Sequence, residues 1–169
     1  MTDTRRLVTL GLFVAIAGVL HAVEAWLPLP VPVPGVKLGL ANIVSLAVID
    51  LYGWREALVV AAARVVLGSL LGGAFLGPSF ALGISGAAAS TLAMAYAHSR
   101  WRPSLSLVGV SVLGAAVHNI AQITAAALLV ASAAVFWYLP YLLLFALPTG
   151  LATGFTAAYF LAKLSRAGG

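Results

Sequence analysis

His118, Asn119 and Gln122 stand in a stretch, Leu105 to Ala131, that is otherwise almost entirely apolar. At about 100° per residue on a helix, offsets of one and four positions keep the three within one narrow face. That face presents an imidazole and two amides, which donate and accept hydrogen bonds, and the imidazole can exchange a proton near neutral pH. Two readings follow: hydrogen bonds between neighbouring helices, which Ser111 would join from two turns earlier, or a surface that binds a polar solute or handles protons.

Other polar groups fall toward the same place in the chain's topology. Glu24, with His21 before it, lies near the end of the first apolar run, and Lys37 and Asn42 open the second. Read together, Glu24, Lys37, Asn42, His118, Asn119 and Gln122 predict an outward-facing cavity. In it the amides orient a polar ring or amide, Glu24 accepts from a donor and Lys37 attracts anionic groups at the mouth. The plainer reading of Glu24 is a hydrated interfacial carboxylate. Arg64 lies roughly two turns into the third run, where an unpaired guanidinium costs several kcal/mol. Ala57, Ala61, Gly68 and Gly72 share its azimuth, so it is expected to face protein; the alternative is that it snorkels to the cytoplasmic surface.

The elements that must hold these groups are membrane helices. Of 169 residues, 63% are hydrophobic and 8% are charged, and the charges mostly separate apolar runs of the roughly 20 residues a bilayer crossing needs. The expected spans are Leu7–Leu27, Leu38–Leu51, Ala57–Leu76, Phe80–Ala97, Leu105–Ala131 and Leu139–Leu164. This predicts an all-α integral membrane protein of about six helices, with residues 1–169 as a single transmembrane domain. The second span is short, so it starts further back, tilts or is partly re-entrant. Arg5 and Arg6 before Leu7 imitate a signal peptide, but the run is of span length and its Ala15-to-Ala17 pattern lies inside it, so a retained helix is expected. The chain has no cysteine, which excludes disulfides and thiolate metal or haem attachment.

Nine basic residues and a net charge of +5 would suggest nucleic acid in a soluble protein. Here they sort by loop, so no nucleic-acid partner is expected. With both termini cytoplasmic, Arg5, Arg6, Arg55, Arg100, Arg102, Lys163 and Arg166 share the inner side, against Lys37 outside. Trp26 and Trp137 then mark the outer interface, Trp54 and Trp101 the inner one. Pro28, Pro30, Pro32 and Pro34 make the first outer loop stiff and extended, either a connector or a lid. Gly11, Ala15, Gly18 and Ala22 form one small-residue stripe on the first helix, almost opposite Glu24, suited to close helix packing within the chain or against a partner. Pro148, Thr149, Gly150, Thr153 and Gly154 predict a kink in the sixth helix, and such interruptions often line substrate sites in transporters.

The run Pro34-Gly35-Val36-Lys37-Leu38-Gly39-Leu40-Ala41-Asn42, with Glu24 before it and Gly114 through Gln122 later, resembles the bacterial Gx transporter family, often labelled heptaprenyl diphosphate synthase component I. The resemblance spans essentially the whole chain. It implies a fold similar to the S components of energy-coupling factor (ECF) transporters: six helices, an outward pocket and a small-residue face on the first helix that docks a transmembrane coupling subunit with its ATPases. Gly11, Ala15, Gly18 and Ala22 would be that face, with glycines at two positions where the family carries alanine. It also implies the bacterial cytoplasmic (inner) membrane, and relatives beside flavin-binding and quinone-linked electron-transfer proteins.

The synthase label fails on chemistry. Prenyl diphosphate synthases hold magnesium diphosphate with clustered aspartates, since a hard cation needs several oxygens close together. Only Asp3 and Asp50 are present, neither in an acidic motif, so an enzyme is not expected. What remains is a substrate-binding membrane subunit or small transporter, its ligand and any cofactor unknown. Against it stands a non-catalytic membrane partner in isoprenoid, quinone or flavin-linked electron transfer. Convergence of the polar groups on one cavity favours the first; separate pairing between helices favours the second.

Overall fold

The computed structural model describes residues 3–26, 39–102 and 104–167, all of whose regular elements are helical. The helices are α1 (Asp3–Trp26), α2 (Leu40–Tyr52), α3 (Trp54–Leu71), α4 (Pro78–Trp101), α5 (Leu107–Val130) and α6 (Leu139–Ala167), with a short 3-10 helix, Ala133–Tyr138, leading into α6. A helix stands at each of the six expected positions. Lys37 and the proline segment lie outside the described residues.

Four segments are long and apolar enough to cross a bilayer: Thr4–Glu24, Pro78–Trp101, Leu107–Val130 and Ala133–Arg166. The chain is a multi-pass membrane protein. Helix α3 has the length, but Arg55, Glu56 and Arg64 lower its hydropathy. Helix α2 has 13 residues, about 20 Å at about 1.5 Å per residue, against a hydrocarbon core of about 30 Å. Its position explains how so short a helix is stable. It packs against all five other long helices, and Ala41, Asn42 and Val44–Ile49 are buried, so it is a central helix covered on every side rather than a lipid-facing one. Between α2 and α3 the turn is the single residue Gly53, at φ 99°, a conformation that side-chain-bearing residues avoid.

Small residues set how closely the helices approach, as expected where lipid offers no hydrophobic drive to association. The tightest crossing joins α5 and α6. A Cβ on Gly150 would lie 2.6 Å from the Val112 Cα, and one on Gly154 would lie 2.7 Å from the Val108 Cα. Across the same seam the Ser111 and Thr153 hydroxyls are hydrogen-bonded at 2.8 Å. The main apolar cluster joins Phe13 and Ala17 of α1 to Val44 and Leu46–Ile49 of α2, with Val60, Met94, Val110 and Leu161 around them.

Charged contacts close the end that carries the basic residues. Arg6 pairs with Glu56, tying α1 to α3. Asp50 accepts from Arg102 and lies 3.0 Å from His98 Nε2, tying α2 to α4. Trp54 and Trp101 are half exposed at this end and Trp137 is exposed at the other, as interfacial indoles should be.

Among the described elements helix α1 packs on α2 and α3, through Phe13, Ala17 and Glu24 with Leu10, Val14 and Leu20. Gly11, Ala15 and Ala22 are exposed on its other side, Gly18 is partly so, and a Cβ on either glycine would meet nothing within 4 Å. The small stripe therefore does not pack against any of the described residues.

Candidate functional site

Opposite the basic end, the helices enclose a cavity of about 160 Å³. Its walls come from the C-terminal halves of α1 and α3, the middle of α5 and the N-terminal halves of α2, α4 and α6. From α1 it takes His21 and Glu24, and from α2 Asn42 and the preceding Gly39. Helix α3 contributes Arg64, Gly68 and Ser69, and α4 contributes Ser79, Phe80 and Gly83. His118, Asn119 and Gln122 come from α5, Thr149 and Thr153 from α6.

Five of the six candidate binding residues thus share one cavity, and the sixth, Lys37, lies outside the described residues. Their local partners refine what each can do. The Gly39 amide donates to Glu24 Oε1, so the carboxylate caps the start of α2, where the helix dipole favours negative charge. Glu24 is buried, not a hydrated interfacial group. Asn119 donates from Nδ2 to the Leu142 carbonyl at 2.8 Å, which fastens α5 to α6 and leaves the amide's oxygen as its offer to a ligand. His118 Nδ1 lies 3.5 Å from the Ser90 hydroxyl. Ser111 is turned to Thr153, so of the polar residues on α5 it serves helix packing. On that face Ser111 and Asn119 bond to α6, while His118, Asn119 and Gln122 border the cavity.

Arg64 is 5% exposed and lines the cavity, so it does not snorkel to the cytoplasmic surface. Its Nε has no hydrogen-bond partner among the described residues, and Glu24 acts on it electrostatically. One turn on, Gly68 makes room for His21: a Cβ there would fall 3.0 Å from the His21 ring. Gly86 does the same for α5, since its Cβ would fall 2.9 Å from both His118 and Gln122.

Sequence reasoning placed Arg64 on a protein face but not in the binding set, and it left His21, Ser69, Ser79 and Phe80 out. For His21 the signal was available, because it stands three residues before Glu24 on the same face. Ser69, Ser79 and Phe80 flank the turn between α3 and α4, and no pattern distinguishes them from ordinary helix-end residues. Thr149 and Thr153, at the kink expected in α6, line the cavity. Pro148 sits inside a continuous helix, with the Thr149 hydroxyl donating to the Phe145 carbonyl at 2.8 Å.

Residues 13–160 match the family model described as heptaprenyl diphosphate synthase component I. Among solved structures, the chain is similar to one reported as "Structure and mechanism of the S component of a bacterial ECF transporter", with a TM-score of 0.75, 19% identity and 98% of each chain covered. Comparison with curated protein sequences returned no match.

Proposed function

This chain belongs to the heptaprenyl diphosphate synthase component I family, and from that premise and its S-component fold we propose that it is a substrate-capturing membrane subunit. The observation that carries the proposal is convergence: Glu24, Asn42, His118, Asn119 and Gln122, from three helices distant in sequence, meet Arg64 and His21 at one cavity. Pairs of helices held together for structure alone would have no need to bring these groups to a shared space. The role is binding rather than prenyl transfer. The cavity's carboxylate is Glu24, while Asp50 stands at the opposite end, engaged by His98 and Arg102, so no aspartate cluster for magnesium diphosphate forms there.

The basic end faces the cytoplasm of a bacterial cell, with both termini, and the cavity faces outward. The outward small-residue face of α1, Gly11, Ala15, Gly18 and Ala22, receives a helix of a transmembrane coupling subunit that works with ATPases. Close approach there is supported by the open space at Gly11 and Gly18, which none of the described residues fills.

The test is to purify the protein in lipid nanodiscs, denature it and identify released small molecules by mass spectrometry, beside an Ala115→Phe variant that fills the cavity. A compound retained by the unmodified protein and lost in the variant is expected. The same complement from both would overturn the proposal.

A further inference from the structure

Resting on the capture role just proposed, we infer that the solute is a small monoanion, a carboxylate on a body the size of a single ring, and that Arg64 holds its charge. Arg64 is 5% exposed and lines the cavity, with its Nε unmatched by any described acceptor. A buried donor left in that state is costly, more so on a charged group. Guanidinium presents a planar fork of donors that fits a carboxylate with two parallel bonds.

The surrounding charge sets the sign and size of the solute. Glu24 opposes Arg64 but is spent in part on the Gly39 amide at the start of α2. The dipole of α2 adds about half a positive charge at that end. One guanidinium, one carboxylate and a helix N-terminus leave the described walls positive, enough for a single negative charge. A dianion such as a phosphate monoester would set its second charge against Glu24. The cavity, about 160 Å³, is close to the roughly 150 Å³ that accepts a benzene-sized body. Phe80 supplies an apolar face, and the amides of Asn42, Asn119 and Gln122 supply contacts for ring substituents.

Benzoate, benzamide and phenyl phosphate serve as probes: one ring, with a monoanion, a neutral isostere and a dianion. Binding to the full-length protein in nanodiscs is read by saturation-transfer NMR and by thermal shift. Benzoate is expected to bind about ten- to a hundredfold more tightly than benzamide, the range of one charge-assisted contact, and more tightly than phenyl phosphate. In Arg64→Gln the preference for benzoate over benzamide should vanish, while Arg64→Lys should keep part of it. Comparison within the unmodified protein needs no variant, so a folding defect in Arg64→Gln does not remove the test. Preference for benzamide or phenyl phosphate, or a benzoate preference that survives Arg64→Gln, overturns the anion assignment and leaves the capture role standing. No binding by any of the three, together with no cavity-dependent compound in the nanodisc experiment, overturns both.

Discussion

One substitution, glycine to alanine, should have opposite consequences at two positions, because the added methyl meets backbone at one and side chains at the other. At Gly150 the new Cβ would lie 2.6 Å from the Val112 Cα and 3.1 Å from its nitrogen, where carbon atoms normally rest at about 3.5–4.0 Å. Backbone cannot rotate out of the way, so α5 and α6 must part by about 1 Å. Overpacking of this kind costs about 1–3 kcal/mol. Loosening the 2.8 Å bond between Ser111 and Thr153 adds about 0.6 kcal/mol, the average for interhelical hydrogen bonds in a membrane protein. Alanine's better helix propensity returns about 1 kcal/mol. The net expectation for Gly150→Ala is a loss of about 0.5–2.5 kcal/mol.

At Gly86 the Cβ would lie 2.9 Å from Gln122 Cγ and from the His118 ring. Both are side chains, which change rotamer at about 1 kcal/mol, and the propensity gain of about 1 kcal/mol offsets that. Stability should hardly change, but His118 and Gln122 are pushed off their places in the cavity, and benzoate affinity should fall about tenfold. Unfolding in mixed micelles titrated with sodium dodecyl sulfate, followed by circular dichroism, measures the first effect; saturation-transfer NMR measures the second. A Gly150→Ala protein as stable as the original, or a Gly86→Ala protein destabilised as strongly as Gly150→Ala, would refute the reasoning.

In this cysteine-free chain, single cysteines at Ser104 and Ala134 should react with an impermeant maleimide from opposite faces of the membrane; reaction of both from one face would end the proposed topology. Ala15→Leu and Gly18→Leu fill open space on α1, so the isolated fold should keep its unfolding midpoint while co-purification of a coupling subunit is lost. Loss of the midpoint would show that the stripe packs internally. Asn42→Leu replaces a buried amide at the cavity, and should raise stability by about 1 kcal/mol while abolishing benzoate binding. Unchanged binding in that variant would remove α2 from the site. Asp50→Ala frees Arg102 and His98 and should cost about 1 kcal/mol or less, the ions being partly exposed. A larger loss in the same unfolding titration would show that this end is more buried than the structure indicates.

The helices were readable from the chain because membrane spans obey a length rule and the charges fall mostly between the apolar runs. Neither signal depends on what a helix touches. The polar face of α5 was legible for a related reason: three adjacent polar residues in an apolar run have few uses. Position around the bundle was a different matter. The same periodicity left the small stripe of α1 equally suited to an inner or an outer face, and only the packing of Phe13 and Ala17 on its other side decides it. Arg64 shows the limit most clearly. Its depth implied a protein environment, but whether it reached the cytoplasmic surface or a cavity depends on where α1 and α4 stand beside α3, which no pattern within α3 encodes.

The short second span bears on the cavity. Helix α2 is central, in contact with all five other helices, yet about 10 Å shorter than the hydrocarbon thickness. Its Asp50 end is held at the basic face by His98 and Arg102, and Gly39 and Asn42 at its other end line the cavity. Apolar side chains closing over that cavity would give a second hydrophobic core. The chain instead places His21, Glu24, Arg64, His118 and Gln122 there, groups whose burial is costly unless they are satisfied. That cost is the physical argument for the capture role proposed above, since a bundle under selection for stability alone would close this end with apolar side chains.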